Sequence, residues 1–273
     1  MTLLLASAVS AIGLYLLTTA LLATRMIKGS PSYDVGITTP VVFGLLALVL
    51  HAISLQQGML IEGGLNLGFF NALSLLGWTI SLVLVVGAIF EPVLNIGVAM
   101  FPGTTVTILL MLFIPADLVV QLHGGWPIQA HVLLSFLAYS LFALAAVQVI
   151  LLTLQDKALR KRRATGFVRS LPPLQTMEAL LFQMLLLGFI LLSLSLLTGA
   201  FYIEDMFAQH LIHKTILSLI SWLVFGILLW GRWRFGWRGQ RALAWTLGGF
   251  IALGLAYPVT KFILEVILNK SWS

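Results

Sequence analysis

Long, uninterrupted apolar runs constrain this chain more than any other feature of its sequence. Hydrophobic residues make up 60% of the 273 residues and charged residues 9%, and the mean hydropathy is +1.07. Soluble domains carry about 25% charged residues, so most of this chain cannot face water. A backbone in lipid must satisfy its own hydrogen bonds, and continuous apolar runs favour helices over a barrel. The sequence therefore predicts an all-α, polytopic integral membrane bundle.

Eight apolar runs are long enough to cross a bilayer. About 20 residues cross the hydrocarbon core as a helix, which predicts spans at residues 2–24, 38–55, 67–89, 104–120, 129–154, 178–200, 211–231 and 242–268. The first run has no preceding cations, so we interpret it as a retained helix and not a signal peptide. We expect a single membrane domain over residues 1–273, with four N-terminal spans within 1–120 and four C-terminal spans within 129–268.

Prolines interrupt the region before the fourth span. Residues 92–100 are apolar but too short to cross, and Pro92 and Pro102 bracket them. The pattern predicts a short surface or re-entrant half-helix at this point. We also expect Pro115 to kink the fourth span.

The positive charges predict the orientation. Twelve of the fifteen lysines and arginines fall in segments that eight spans place on one side, namely Arg25, Lys28, Lys157, Arg160, Lys161, Arg162, Arg163, Arg169, Arg232, Arg234, Arg238 and Arg241. Such an excess marks cytoplasmic loops, so we expect both termini outside a bacterial inner (plasma) membrane. These loops account for the net charge of +6. The bilayer is therefore an expected partner, and nucleic acid is not.

With this orientation every histidine lies in the outer half of the membrane or in an outer loop. The five are His51, His123, His131, His210 and His213. Polar groups inside spans usually face the bundle interior. His51 or His123 alone is more often a hydrogen-bonded surface residue, and the pair of His210 and His213 can simply solvate a helix start.

Helical spacing groups further polar residues with these histidines. His131, Ser135 and Tyr139 share one stripe of the fifth span, and Lys214 continues the His210 and His213 face of the seventh. In the eighth span, Tyr257, Lys261 and Glu265 recur at i, i+4, and we expect Lys261 to pair with Glu265. The fifth, seventh and eighth spans should therefore converge on a polar pocket facing the periplasm or exterior. Its candidate ligand-binding residues are His131, His213, His210, Lys214, Lys261 and Tyr139.

Short motifs in the C-terminal half carry a family resemblance. They are HVLLSFLAY at 131–139, LPPLQ at 171–175, GF at 188–189, TGA at 198–200, SLISW at 218–222, GWRG at 236–239 and GGF at 248–250. In order and spacing they resemble the cytochrome c assembly family of haem-handling membrane proteins (CcsA, CcmC and CcmF), and within it the small YpjD/HemX-type branch. The resemblance implies haem handling. Because the chain has no cysteine, a bound haem would be haem b, held non-covalently.

The match to the haem-binding members of the family is incomplete. In those members a tryptophan-rich outer loop with a Trp-Asp pair lies on the haem, and flanking histidines ligate the iron. His131 matches the first outer histidine, but residues 209–217 lack the tryptophans and the aspartate. Trp230 stands where the family has a membrane histidine, and the last span has no second outer histidine. His210 or His213 as a substitute ligand follows from spacing and not from the family pattern.

Three functional hypotheses remain open. The first is haem binding in cytochrome maturation or haem homeostasis, with His131 and His213 or His210 on the iron and Lys214 or Lys261 on the propionates. The second is an accessory or regulatory subunit of another membrane protein, with an eroded haem site.

The third hypothesis is a divalent-metal site or transport pathway built from imidazoles and carboxylates. Its candidates are His123, Glu204, Asp205, His210 and His213. The nearly featureless midplane disfavours transport. The sequence has no nucleotide loop, nucleophile elbow or HExxH motif, so it predicts no enzyme.

Overall fold

The computed structural model describes residues 2–28, 38–61, 64–114, 119–120, 125–162, 166–202 and 212–268. The helices in chain order are α1 (Thr2–Lys28), α2 (Thr38–Met59), α3 (Phe69–Phe90), α4 (Gly97–Phe113), α5 (Gly125–Arg160), α6 (Gly166–Ser170), α7 (Leu174–Tyr202), α8 (Ile212–Phe235) and α9 (Gln240–Gly254). The last span continues through a π-helical turn (Leu255–Val259), the short α10 (Thr260–Phe262) and a second π-helical turn (Ile263–Ile267). Eight helices are long and apolar enough to cross a membrane, which confirms the predicted all-α membrane bundle.

The fourth span corrects the predicted half-helix over residues 92–100 and the predicted start at residue 104. A 3-10 turn at Leu94–Ile96 leads directly into α4, which continues through Pro102. A proline removes one backbone hydrogen bond, and membrane helices tolerate this loss because local adjustments satisfy the released carbonyl. Most of residues 92–100 therefore belong to the start of the span, which covers Leu94–Phe113. Pro115, the expected kink, lies outside the described residues.

A small antiparallel sheet, which the sequence did not predict, closes one end of the bundle. Strand β1 (Leu60–Ile61) pairs with β2 (Gly64–Asn66), and β2 pairs with β3 (Val119–Val120). The pair Leu65↔Val120 joins the segment after α2 to the segment after α4. Val120, the predicted end of the fourth span, therefore lies in a strand beyond it.

Two closely stacked aromatic rings lie at the centre of the C-terminal half. Phe142 of α5 stacks on Phe225 of α8, with ring centroids 3.8 Å apart and an interplanar angle of 2°. Gly188 of α7 makes room on one side, because an added Cβ would lie 2.9 Å from Phe142. Gly249 of α9 does the same beside Phe225, where a Cβ would lie 2.8 Å from the ring. The two glycines therefore let four helices approach one stacked pair.

Contacts between loops and helix ends show that the helices run up and down between two ends. At one end Glu178 pairs with Arg232, and Gln155 Nε2 donates to the Pro172 carbonyl at 2.9 Å. This basic end contains the last residues of α5 and α8, where the sequence places cations. The sheet lies at the opposite end, which we name the sheet end. Which end faces the cytoplasm stays a prediction from the charges.

Candidate functional site

His131 lies in the first turns of α5 and is anchored to the backbone of α7. Its Nδ1 is 2.8 Å from the carbonyl oxygen of Ser195, while the Ser195 and Thr198 hydroxyls are farther away, at 3.4 Å and 3.5 Å. Ser135, one turn along α5, donates to the His131 carbonyl at 2.7 Å and shares a 2.7 Å hydrogen bond with the Ser195 hydroxyl. The polar stripe predicted on α5 is therefore directed at α7.

The carbonyl contact determines which ring nitrogen of His131 carries the proton. A carbonyl oxygen only accepts, so Nδ1 must be the donor and Nε2 holds the lone pair. Among the described residues no hydrogen-bond donor or acceptor occupies Nε2. Histidines that bind metals through one ring nitrogen generally donate the N–H of the other nitrogen to a carbonyl or carboxylate. His131 is thus a half-buried imidazole with a fixed orientation and an available ligand atom.

A buried ion pair occupies the last span at the sheet end. Lys261 Nζ lies 2.7 Å from Glu265 Oε1, with the two side chains 6% and 11% exposed, which confirms the predicted pairing. Glu265 Oε2 also accepts a hydrogen bond from the Phe69 amide at 2.6 Å. Phe69 begins α3, where backbone amides lack helical partners and the helix dipole favours an anion. Glu265 therefore stabilises both a lysine and a helix terminus.

Lys214 at the start of α8 lies close enough to this ion pair to feel the charges of both partners. The charges of Lys261 and Glu265 both act on it across the interface between α8 and the last span. The π-helical turn at Leu255–Val259 contains Pro258, whose missing amide favours a widened turn just before this cluster.

The fifth and eighth spans, which were predicted to converge on a polar pocket, are in contact. Phe136 of α5 contacts Tyr257 of the last span, with ring centroids 6.4 Å apart. Tyr139 lies two turns deeper than His131 and packs on Phe250, with centroids 5.3 Å apart.

Several predicted site residues lie outside the described residues. They are His123, Glu204, Asp205 and His210, together with the side chain of His213. The pairing of His131 with His213 or His210 therefore stays a prediction. So does the divalent-metal hypothesis, although the described residues alone contain no cluster of three histidines and carboxylates that could hold a metal ion.

His51 is not the interfacial residue that its position in the second span indicated. It is completely buried between α1, α2 and α3, and the Tyr15 hydroxyl lies 3.4 Å from its Nδ1. The Ser74 hydroxyl lies 3.0 Å from its Nε2, so both ring nitrogens have partners. Tyr15 also interacts with Ser81, whose hydroxyl bonds Thr104 at 2.9 Å. Sequence reasoning missed this network because each helix supplies only one or two of its members.

Trp230, which stands where the resemblance implies a membrane histidine, is not part of a ligand site. Trp230 on α8 is 54% exposed and packs edge-on against Phe235. Arg232, two residues later, pairs with Glu178 and lies 4.6 Å above the Phe182 ring. This part of α8 presents an aromatic side chain outward and a paired cation inward.

Comparisons with known proteins place these features in a family. The family model described as cytochrome C assembly protein matches residues 39–268. The inner membrane protein YpjD of Escherichia coli (strain K12) is 30% identical over 229 residues, which are 83% of this chain and 87% of that protein. Protein HemX of Brevibacillus brevis is 24% identical over 77% of this chain and 80% of its own length.

More distant similarity extends to proteins named for cytochrome c biogenesis. The cytochrome c biogenesis protein CcsA of Gloeobacter violaceus is 25% identical over 36% of this chain and 30% of its own length. No solved structure matches the chain. The family model covers most of the chain and the YpjD match exceeds two thirds of it, so this chain belongs to the cytochrome c assembly protein family.

Proposed function

We propose that this protein binds haem b non-covalently at the sheet end of the bundle and handles haem for cytochrome assembly or haem homeostasis. His131 would ligate the iron through Nε2. The observation that carries the proposal is the 2.8 Å contact from His131 Nδ1 to the Ser195 carbonyl. It fixes the tautomer that a haem ligand needs and orients the ring without occupying its second nitrogen.

The second iron ligand would come from the start of α8. His213 is the residue before Lys214, and His210 lies three residues earlier in the sequence. An imidazole there would supply the second iron ligand. Family membership supports this assignment, and the spacing of the two histidines selects the candidates.

The propionates of haem carry negative charge and need cations near the ring edge. The cluster of Lys214, Lys261 and Glu265 brings two cations together at the sheet end. Lys214 or Lys261 would pair with the propionates. Tyr139, deeper along the α5 face, contributes apolar contact and a hydroxyl to the floor of the site.

Multi-pass location in a bacterial inner membrane belongs to the same proposal. The relative in Escherichia coli is named an inner membrane protein, and eight helices of this chain can cross a bilayer. The charge asymmetry then directs the sheet end, with His131, to the periplasm or exterior. We propose a binding role and no catalytic step.

Absorption spectroscopy of protein purified from haem-replete cells tests the proposal. We expect a Soret band for the wild type and its loss in His131→Ala. Added free imidazole should restore the band in that variant, because the small ligand fills the vacated position on the iron. A matched control is His51→Gln, which removes a histidine whose nitrogens are both occupied, and it should keep the band per folded protein. A wild type without a Soret band, even after haem addition, contradicts the proposal.

One observation favours an accessory subunit as the second candidate. Positions where the resemblance implies haem ligands hold an outward-facing Trp230 and a last span whose polar groups, Lys261 and Glu265, bond each other. A chain with an eroded haem site would keep the fold and serve another membrane protein. Stable co-purification of a partner, with unchanged function in a His131→Ala/His213→Ala double variant, would select this alternative.

A further inference from the structure

An apolar groove opens on the side of the bundle, and its inner end shares Tyr139 with the floor of the proposed haem site. It has a volume of about 390 Å³ and lies between α3, α4, α5 and α9. Its walls include Leu76 and Ile80 of α3, Gly103 of α4, Val147 and Ile150 of α5, and Leu247 of α9. At Gly103 an added Cβ would meet nothing within 4 Å, so the groove is open there.

The polar side chains along the α4 wall have partners within the bundle. The Thr107 hydroxyl donates to the Thr104 carbonyl at 2.7 Å, and the Thr104 hydroxyl contacts Ser81 at 2.9 Å and the Gly77 carbonyl at 3.2 Å. Their hydrogen-bonding capacity is used by the protein. The groove therefore suits hydrocarbon and not a polar head group.

The dimensions of the groove fit one hydrocarbon chain. Along α5 its lining extends from Tyr139 to Ile150, which corresponds to about 16 Å of helix axis. A volume of about 390 Å³ over that length corresponds to a narrow slot. Such a slot suits an extended hydrocarbon chain better than an α-helix, which is about 10 Å wide.

The α5 wall continues from the groove to unpaired cations at the basic end. Ile150 and Leu154 are 41% and 50% exposed, and Lys157 and Lys161 follow on the same face at i+7 and i+11 from Ile150. Lys157 lies about 10 Å along the axis from Ile150. Neither lysine has an ion-pair partner within the part of the chain that the structure describes, whereas the neighbouring Arg160 pairs with Asp156 at 2.9 Å.

We propose that this groove holds one acyl chain of an anionic phospholipid from the leaflet at the basic end, with its phosphate bound by Lys157 and Lys161. An apolar slot that runs into a cationic rim matches the two chemically different parts of such a lipid. Basic side chains at a membrane surface attract anionic head groups and confer preference for them.

Lipid retention by the full chain in mild detergent tests this site. The protein is exposed to vesicles of phosphatidylcholine with an equal part of phosphatidylglycerol, re-solubilised, and measured by native mass spectrometry. The wild type should retain one phosphatidylglycerol in preference to phosphatidylcholine. Gly103→Leu should lose the bound lipid because its side chain fills the groove. Lys157→Gln/Lys161→Gln should reduce phosphatidylglycerol retention roughly tenfold and leave phosphatidylcholine retention unchanged.

Matched controls separate this site from general lipid contact. Gly13→Leu adds the same side chain on exposed α1, where a Cβ also meets nothing within 4 Å, and Arg234→Gln removes a cation from the end of α8. Both should behave as the wild type. Equal retention in every variant overturns the proposal, since it would mean only an annular lipid shell. A polypeptide crosslinked to a photoreactive residue at position 103 in cells would overturn it in favour of a partner protein.

Discussion

His51 and His131 are two membrane histidines in opposite halves of the chain, and they differ in burial and in hydrogen bonding. Both nitrogens of His51 meet hydroxyl groups inside a completely buried network. His131 is half-buried and has one nitrogen held by a carbonyl, while the other has no protein partner among the described residues. A histidine with both nitrogens occupied stabilises the fold, whereas one that is oriented through a single nitrogen is available for a ligand.

The largest expected effect tests this contrast directly. His51→Ala removes a fully enclosed ring and leaves the Tyr15 and Ser74 hydroxyls without a partner, so it should lower the free energy of unfolding by about 4 kcal/mol. His131→Ala loses one hydrogen bond at a half-exposed position and should cost about 1 kcal/mol. Denaturant unfolding in the same detergent compares the two variants. Equal destabilisation would show that both histidines are structural.

A second prediction asks whether the ion pair of Lys261 and Glu265 in the last span is structural. Glu265→Gln removes the carboxylate that pairs with the buried Lys261 and should destabilise the protein by about 3 kcal/mol. Lys261→Met/Glu265→Gln removes both charges but keeps an amide oxygen for the Phe69 amide, and it should recover most of the lost stability. Thermal unfolding of the two variants checks this. A double variant that is less stable than the single one would show that Lys261 has another essential contact.

The smallest effect concerns the hydroxyl groups around the two rings. Ser74→Ala leaves Nε2 of His51 without a partner and should cost about 1–2 kcal/mol. Thr198→Val removes a 3.5 Å contact beside His131 and the bonds of the same hydroxyl to the Leu194 and Ser195 carbonyls, both at 2.9 Å; these carbonyls lie within α7, so the change should cost less than about 0.5 kcal/mol. Unfolding in detergent measures both variants. If Thr198→Val were the more damaging change, the difference drawn between the two histidines would be wrong.

The sequence predicted what depends on span length and on spacing within one helix. Seven spans agree with the structure to within a few residues, because lipid sets the length of an apolar helix. The pairing of Lys261 with Glu265 was predictable because residues four apart share a helix face. The fourth span begins earlier than predicted, because a membrane helix accommodates Pro102.

Features that depend on which helices are neighbours could not be predicted. The partner of His131 is a backbone carbonyl on α7, and a carbonyl has no sequence signature. The burial of His51 depends on Tyr15 from α1 and Ser74 from α3, which lie 36 and 23 residues away in the chain. The sheet formed by β1, β2 and β3 joins segments too short to carry a strand pattern.

The hydrogen bond from the Phe69 amide to Glu265 has a consequence for synthesis and insertion. The two residues are 196 positions apart, so the start of the third span gains its acceptor only after the final span has left the ribosome. Early spans must therefore wait in the membrane with one helix terminus incomplete. Truncation at the C-terminus would consequently weaken a segment made near the beginning of translation.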